Sequence, residues 1–123
     1  MKKKILIIQG SSLKKINIKT DTSFFLGLEA QRRSYQIYYY EPKDLSFING
    51  KVTALCSKVK FVDNPKQPIK VLNKTVLNLL QAKLILIRSE PPFNQQYINT
   101  TFILEHISKK VRIINHPKAL REV

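Results

Sequence analysis

The chain has 123 residues, of which 43% are hydrophobic and 24% charged, and it contains a single cysteine, Cys56. This length and balance indicate one globular domain, and the lone cysteine excludes an intrachain disulfide framework. No Cys/His group has zinc spacing, so we expect no metal site. The apolar run at residues 5–8 is too short for a signal peptide or a membrane span, which favours a cytoplasmic protein without a membrane partner.

The formal net charge of +14 at pH 7 invites a nucleic-acid partner, because clustered cations release counterions from phosphates. The lysines are scattered along the sequence, however, and they far outnumber the arginines that base recognition favours. An AT-rich coding bias would also enrich lysine, isoleucine and asparagine together. The sequence therefore does not favour a nucleic-acid partner.

Apolar runs and helical spacings alternate along the chain. They predict buried strands at residues 4–9, 36–41, 84–87 and 112–114, and helices at residues 22–33 and 95–110. This order predicts an α/β fold with an open, mostly parallel, Rossmann-like sheet that is flanked by helices.

A β-hairpin is inserted between these elements. Asn49-Gly50 predicts a two-residue type I′ turn, because both residues accept a positive φ. The return strand is expected to run as far as Phe61, with a bulge or break near Ser57-Lys58 where the apolar residues change parity. After a loop at residues 63–68, we expect a short helical turn over residues 76–80.

Arg88 is the strongest candidate for a binding residue. It follows the apolar run at residues 84–87 and precedes Pro91-Pro92, so we expect it at the carboxyl end of a central strand. Ligands of open α/β sheets bind at that edge, and a guanidinium suits a carboxylate or a phosphate. The alternative is that Arg88 pairs with Glu90 or a helix end and only supports its loop.

The start of the first predicted helix is a second candidate. Asp21 is a suitable N-cap, and the free backbone N–H groups of Thr22 and Ser23 could seat an anion. Plain capping is the simpler explanation of Asp21 and Ser23, because such caps are routine at helix starts. Cys56 has no nearby histidine and His106 stands alone among apolar residues, so we predict no catalytic residue.

Several residue groups run in the same order as in one known family. The chain resembles the N-terminal domain of prokaryotic glutathione synthetase, an ATP-grasp ligase. The matching groups are Ile16-Asn17-Ile18-Lys19, Asp21-Thr22-Ser23-Phe24, Leu28-Glu29-Ala30-Gln31-Arg32-Arg33, Asp44-Leu45, Ile48-Asn49-Gly50, Arg88, Pro91-Pro92-Phe93, Ile103-Leu104-Glu105, Asn115, Pro117 and Leu120-Arg121. In that family a glycine usually follows the arginine pair, at a left-handed C′ position. Here Ser34 stands there, at a cost of about 1 kcal/mol.

The resemblance implies that residues 1–123 form a pre-ATP-grasp domain, the substrate side of an enzyme that joins γ-glutamylcysteine to glycine. Substrate binding is implied for Arg88, Asp21, Ser23, Asn17 and Lys19. ATP and Mg²⁺ are implied for the complete enzyme, where a separate ATP-grasp domain holds them, in cis or in trans. No counterpart of that domain is present, so we expect this chain alone to be inactive.

The resemblance also implies self-association. Two other functions stay open on the sequence: a non-catalytic remnant that serves as an interaction module, and a basic nucleic-acid-binding domain.

Overall fold

The computed structural model describes residues 4–10, 22–64, 66–88 and 95–114. In this part of the chain there are seven strands: β1 (Ile5–Gln9), β2 (Gln36–Tyr40), β3 (Leu45–Ile48), β4 (Lys51–Phe61), β5 (Ile69–Asn78), β6 (Leu84–Ile87) and β7 (Arg112–Ile114). The α-helices are α1 (Thr22–Arg32) and α2 (Gln95–Glu105), and short 3₁₀ helices span Pro42–Asp44 and Leu79–Gln81. None of the described helices is long and apolar enough to cross a membrane.

All seven strands belong to one sheet, which is mixed. Its order is β3-β4-β2-β1-β6-β7, and β5 lies on the other edge of β4. The pairs β1–β2, β1–β6 and β6–β7 are parallel, whereas β2–β4, β3–β4 and β4–β5 are antiparallel. The α/β class is therefore confirmed. A mostly parallel, Rossmann-like sheet is not, because β4 pairs antiparallel with β2, β3 and β5 and these strands form an antiparallel half.

The sheet is buried on both faces where β1, β2 and β6 lie. One face carries Ile5, Ile7, Tyr38 and Tyr40, and it packs against Leu104 and Ile107 in and after α2. The other carries Leu6, Ile8, Ile37 and Tyr39, and it packs against Leu28 and Ala30 of α1. Burial on both faces explains why β1 and β6 read as continuous apolar runs.

Helix α1 is fixed to the antiparallel half through Gln31. Its side-chain amide donates to the Phe61 carbonyl oxygen (2.8 Å), and its Oε1 accepts from the Phe61 N–H (2.6 Å). The amide thus satisfies both backbone groups of a strand residue, as a neighbouring strand would.

Helix α1 ends in a Schellman motif. The Tyr35 N–H donates to the Ala30 carbonyl (2.9 Å) and the Ser34 N–H to the Gln31 carbonyl (3.0 Å). Ser34 has φ 69°, which confirms the left-handed conformation expected there.

The hairpin is as predicted. β3 and β4 are joined by Asn49 and Gly50, with φ of 53° and 74°, and Phe47 pairs with Val52. β4 does run to Phe61, and the register with β5 shifts between Lys58 and Val59.

The change of parity in β4 has a simple cause. Ala54 and Cys56 face the α2 side of the sheet, whereas Val59 and Phe61 face the α1 side. The two halves of β4 are therefore covered on opposite faces. The extra residue of the bulge, Leu72, lies in β5, where Val71 pairs with Val59 and Asn73 with Lys58.

Two predictions of secondary structure were wrong. Residues 76 and 77 belong to β5, so the expected helical turn begins only at Leu79. Helix α2 ends at Glu105 rather than at residue 110, because the following N–H groups bond three residues back: His106 to Ile103 and Ile107 to Leu104 (3.2 and 3.1 Å). Ile107 and Val111 stay buried through these tight turns.

Candidate functional site at the carboxyl edge of the sheet

Three parallel strands end side by side. Gln9 of β1 lies opposite both Tyr40 of β2 and Ile87 of β6. The ladder continues one residue further, because the Gly10 N–H donates to the Tyr40 carbonyl (3.1 Å) and the Arg88 N–H donates to the Gln9 carbonyl (2.7 Å). The residues that leave these strands therefore start from one edge, where α/β sheets bind ligands.

Arg88 lies at this edge, as predicted, and it follows β6, an inner strand between β1 and β7. It has the parity of Leu84 and Leu86, which face α1, so strand alternation places it on that side of the sheet. Its side chain is half-buried, and it forms no ion pair with any described residue. Glu90, the alternative partner, lies outside the described residues.

The start of α1 faces the same edge. The opposite end of the helix lies at the amino edge of the sheet, because the Lys4 ammonium donates to the Arg33 carbonyl (3.2 Å). Arg88 and the first turn of α1 therefore share one face and one edge. This arrangement can attract an anion through a guanidinium and a helix dipole together.

A buried hydrogen bond supports this edge from the opposite face. The Tyr40 hydroxyl donates to Gln9 Oε1 (2.7 Å), and both side chains are almost fully buried. Burial, with a smaller contribution from Cys56, raises the pKa of Tyr40 well above its usual value. Tyr40 is therefore a neutral donor that fixes the end of β1, and it is not an acid or a base.

Tyr39 shapes the exit of β1 on the α1 side. Its hydroxyl lies so close to Gly10 that a Cβ at this position would overlap with it. A larger residue at position 10 would therefore force the Tyr39 ring to move.

A polar cavity of about 150 Å³ opens beside the end of β2. Two cationic and two anionic side chains line it, namely Lys43, Lys74, Glu41 and Asp44. None of these four forms a salt bridge in the described part of the chain. This cavity was not predicted from the sequence, because Lys74 comes from the unpredicted strand β5.

The other predicted site residues are placed only in part. Asn17, Lys19 and Asp21 lie outside the described residues. Ser23 is the second residue of α1, but its side chain is not described. The described residues hold no group of three or more His, Cys, Asp or Glu side chains that could bind a metal ion.

Neither Cys56 nor His106 has the surroundings of a catalytic residue. Cys56 is fully buried, and burial, helped by Asp44, raises its pKa to about 12. A thiol with this pKa stays protonated at neutral pH and is inert. The imidazole of His106 stacks on Phe47 with ring centroids 4.7 Å apart, so it packs the hairpin against the region after α2.

The fold and this edge define the class of protein: an α/β domain whose parallel strands end at an arginine-bearing edge beside a helix start. Residues 4–121 match the family model for the prokaryotic glutathione synthetase N-terminal domain. The chain belongs to this family, and it corresponds to the N-terminal domain of glutathione synthetase.

Full-length relatives agree with this assignment. The chain is 40% identical over 112 residues to the glutathione synthetase of Buchnera aphidicola subsp. Schizaphis graminum, covering 90% of this chain and 35% of that protein. It is 38% identical over 121 residues to the Mesorhizobium japonicum glutathione synthetase (98% and 38%) and 39% identical over 108 residues to the Escherichia coli K12 glutathione synthetase (87% and 34%). The chain thus spans about a third of the length of these curated relatives.

Proposed function

We propose that this chain is the substrate-side, pre-ATP-grasp domain of an enzyme that ligates γ-glutamylcysteine and glycine at the expense of ATP. The observation that carries the proposal is the family match over residues 4–121. The position of Arg88 at the carboxyl edge supports it, because this is where an α/β sheet receives an anionic small molecule.

In this proposal Arg88 binds a carboxylate of the dipeptide through its planar fork. Asp21, Ser23, Asn17 and Lys19 complete the substrate-binding surface. The role of this domain is to hold the dipeptide in position, and orientation alone contributes substantially to a two-substrate reaction. The domain itself contributes no catalytic group.

ATP and Mg²⁺ would be held by an ATP-grasp domain, in cis or in trans. That domain is the expected partner, and its phosphoryl chemistry would activate the dipeptide carboxylate as an acyl phosphate before the glycine amine attacks. Self-association and a cytoplasmic location are further parts of this proposal.

The direct test is phosphate release from ATP with γ-glutamylcysteine and glycine. It is measured on this chain alone and with the ATP-grasp region of a relative added in trans. We expect turnover only in the mixture. Silence in the mixture, with association of the two pieces shown by co-elution, would refute the proposal.

Arg88→Ala tests the site in the active mixture. We expect kcat/KM for γ-glutamylcysteine to fall by about 10- to 100-fold, since a hydrogen bond to a charged group contributes about 1.5–3 kcal/mol. Arg112→Ala is the matched control, because Arg112 is the first residue of β7 and lies at the amino edge of the sheet, away from the carboxyl edge that bears Arg88. Equal effects of the two substitutions would remove Arg88 from the substrate site.

A further inference from the structure

Strand β5 is the exposed outer strand of a two-stranded ribbon that it forms with β4. Its seven central residues, 70–76, are all exposed to solvent. Its only strand partner in the described part of the chain is β4. The outer edge of a ten-residue strand therefore presents backbone N–H and C=O groups that no described strand pairs.

One face of this ribbon is cationic. Lys60 of β4 lies directly opposite Lys70 of β5, and Lys58, two residues before Lys60, is on the same face. None of the three forms an ion pair with a described residue. Like charges that face each other across two strands are destabilising. An anionic partner bound to this face would reduce the repulsion between Lys60 and Lys70.

The other face of the ribbon is largely aliphatic. Val76 pairs with Leu55, and these side chains are 64% and 45% exposed. Val71, on the same face, is 53% exposed. Lys74 lies between the two valines of β5, so this face also carries one positive charge.

We infer that the outer edge of β5 binds an extended acidic segment of another protein by adding it to the sheet as a strand. The backbone of the segment would pair with β5. Its alternate side chains would be acidic beside Lys70, on the face that also carries Lys60, and mainly aliphatic beside Val71 and Val76. This mode of recognition uses main-chain hydrogen bonds for affinity and alternating side chains for specificity.

The same observations disfavour two other occupants. A second copy of β5 would bring its own lysines against those already present, which adds repulsion. A nucleic acid could neutralise the lysine face, but it could neither extend the backbone ladder nor cover Val71 and Val76. The inference does not depend on the proposed ligase function, because Arg88 and the carboxyl edge take no part in it.

The experiment is a binding titration of the full chain with fluorescent probes. The probe is a peptide as long as β5, ten residues, of alternating glutamate and valine. The comparison probes are the same peptide with glutamine for glutamate and a single-stranded oligonucleotide of equal length. We expect the glutamate peptide to bind best, and the backbone amides of β5 to gain protection from hydrogen exchange.

The decisive variant reverses the lysine face. The double substitution Lys60→Glu, Lys70→Glu keeps two like charges opposite each other, so folding is little changed while the sign of the face is inverted. We expect it to weaken peptide binding by about tenfold or more. Lys83→Glu with Lys109→Glu is the matched control, because it changes the net charge equally at exposed positions away from β5.

Three results would overturn the inference. The first two are no binding of the glutamate peptide, with or without tight binding of the oligonucleotide, and equal weakening by the two double variants. A concentration-dependent dimer that competes with the peptide would instead make a second copy the occupant of this edge.

Discussion

Ser34 shows how one residue departs from what its backbone position favours. The Schellman motif after α1 requires a left-handed residue, and Ser34 has φ 69°. A side chain makes this conformation unfavourable, whereas glycine adopts it without strain. The requirement was predictable from sequence, because an arginine pair ends the helix and the family usually places glycine next.

Ser34→Gly is therefore expected to stabilise the domain by about 1 kcal/mol. The free energy of unfolding in urea measures this change. Ser46→Gly in β3 is the control, and it should destabilise the domain, because glycine weakens the interior of a strand. A loss of stability in Ser34→Gly would contradict the Schellman interpretation.

Cys56 makes stability depend on pH in a defined window. Its folded pKa is raised to about 12 by burial and Asp44, whereas an unfolded thiol titrates near 8.5. Between these values the unfolded chain binds fewer protons than the native one, so stability is complete below the lower pKa and falls as pH rises.

The expected loss is about 1 kcal/mol for each pH unit above 9. Urea titrations of the parent chain and of Cys56→Ala at several pH values measure it, since the alanine variant lacks this titration but keeps the lysines and tyrosines. If the difference in stability between the two proteins stays constant from pH 8 to about 11, burial does not raise the pKa of the Cys56 thiol as described.

Only those features of the candidate site that depend on residues adjacent in the sequence were predictable. The position of Arg88 follows from an apolar run and the residues just after it. The Tyr40 bond to Gln9 joins residues 31 positions apart, and the polar cavity combines residues of β2, β4 and β5. Such contacts depend on strand order, which periodicity does not encode.

Among the described strands, β5 is the one that was not predicted from the sequence. A strand is recognised when one face is buried and the other is polar. In β5 the seven central residues are exposed on both faces and Leu72 forms a bulge, so alternation is lost. By contrast, Asn49-Gly50 and the apolar runs of β1 and β6 gave correct elements, because turn chemistry and burial act locally.

The lysine pair on this ribbon gives a prediction for stability. Lys60→Glu replaces a repulsive cross-strand pair with Lys70 by an attractive one. We expect a gain of about 0.2–1 kcal/mol in the free energy of unfolding, which should shrink at high salt. Lys60→Gln separates the removal of repulsion from the new attraction. No gain in either variant would mean that the two ammonium groups do not interact.

At the scale of the whole molecule, the α/β class follows from the order of elements, but the mixture of parallel and antiparallel pairs does not. The sequence suggests a hairpin beside a parallel sheet. The structure instead continues that hairpin through β4 into the sheet itself, where β2 and β4 pair as antiparallel neighbours.

The two halves of this sheet differ in how far apart their paired residues lie along the chain. Strands β3, β4 and β5 are consecutive, all between residues 45 and 78, whereas β1 pairs with β6, so that Leu6 faces Leu84. Closing a long loop before any contact forms is slow, so we expect the consecutive strands to form first and the β1–β6 pair to form late.

Native-state hydrogen exchange tests this order. In mild denaturant, the amides of Ile7 and Ile85 should exchange through partial unfolding that costs less free energy than the opening of Ala54 and Cys56. The opposite order would exclude early formation of the antiparallel half. The edge that bears Arg88 is then the last part of the domain to assemble. A ligand bound there would stabilise contacts that form after the folding transition state, so it would slow unfolding more than it speeds folding.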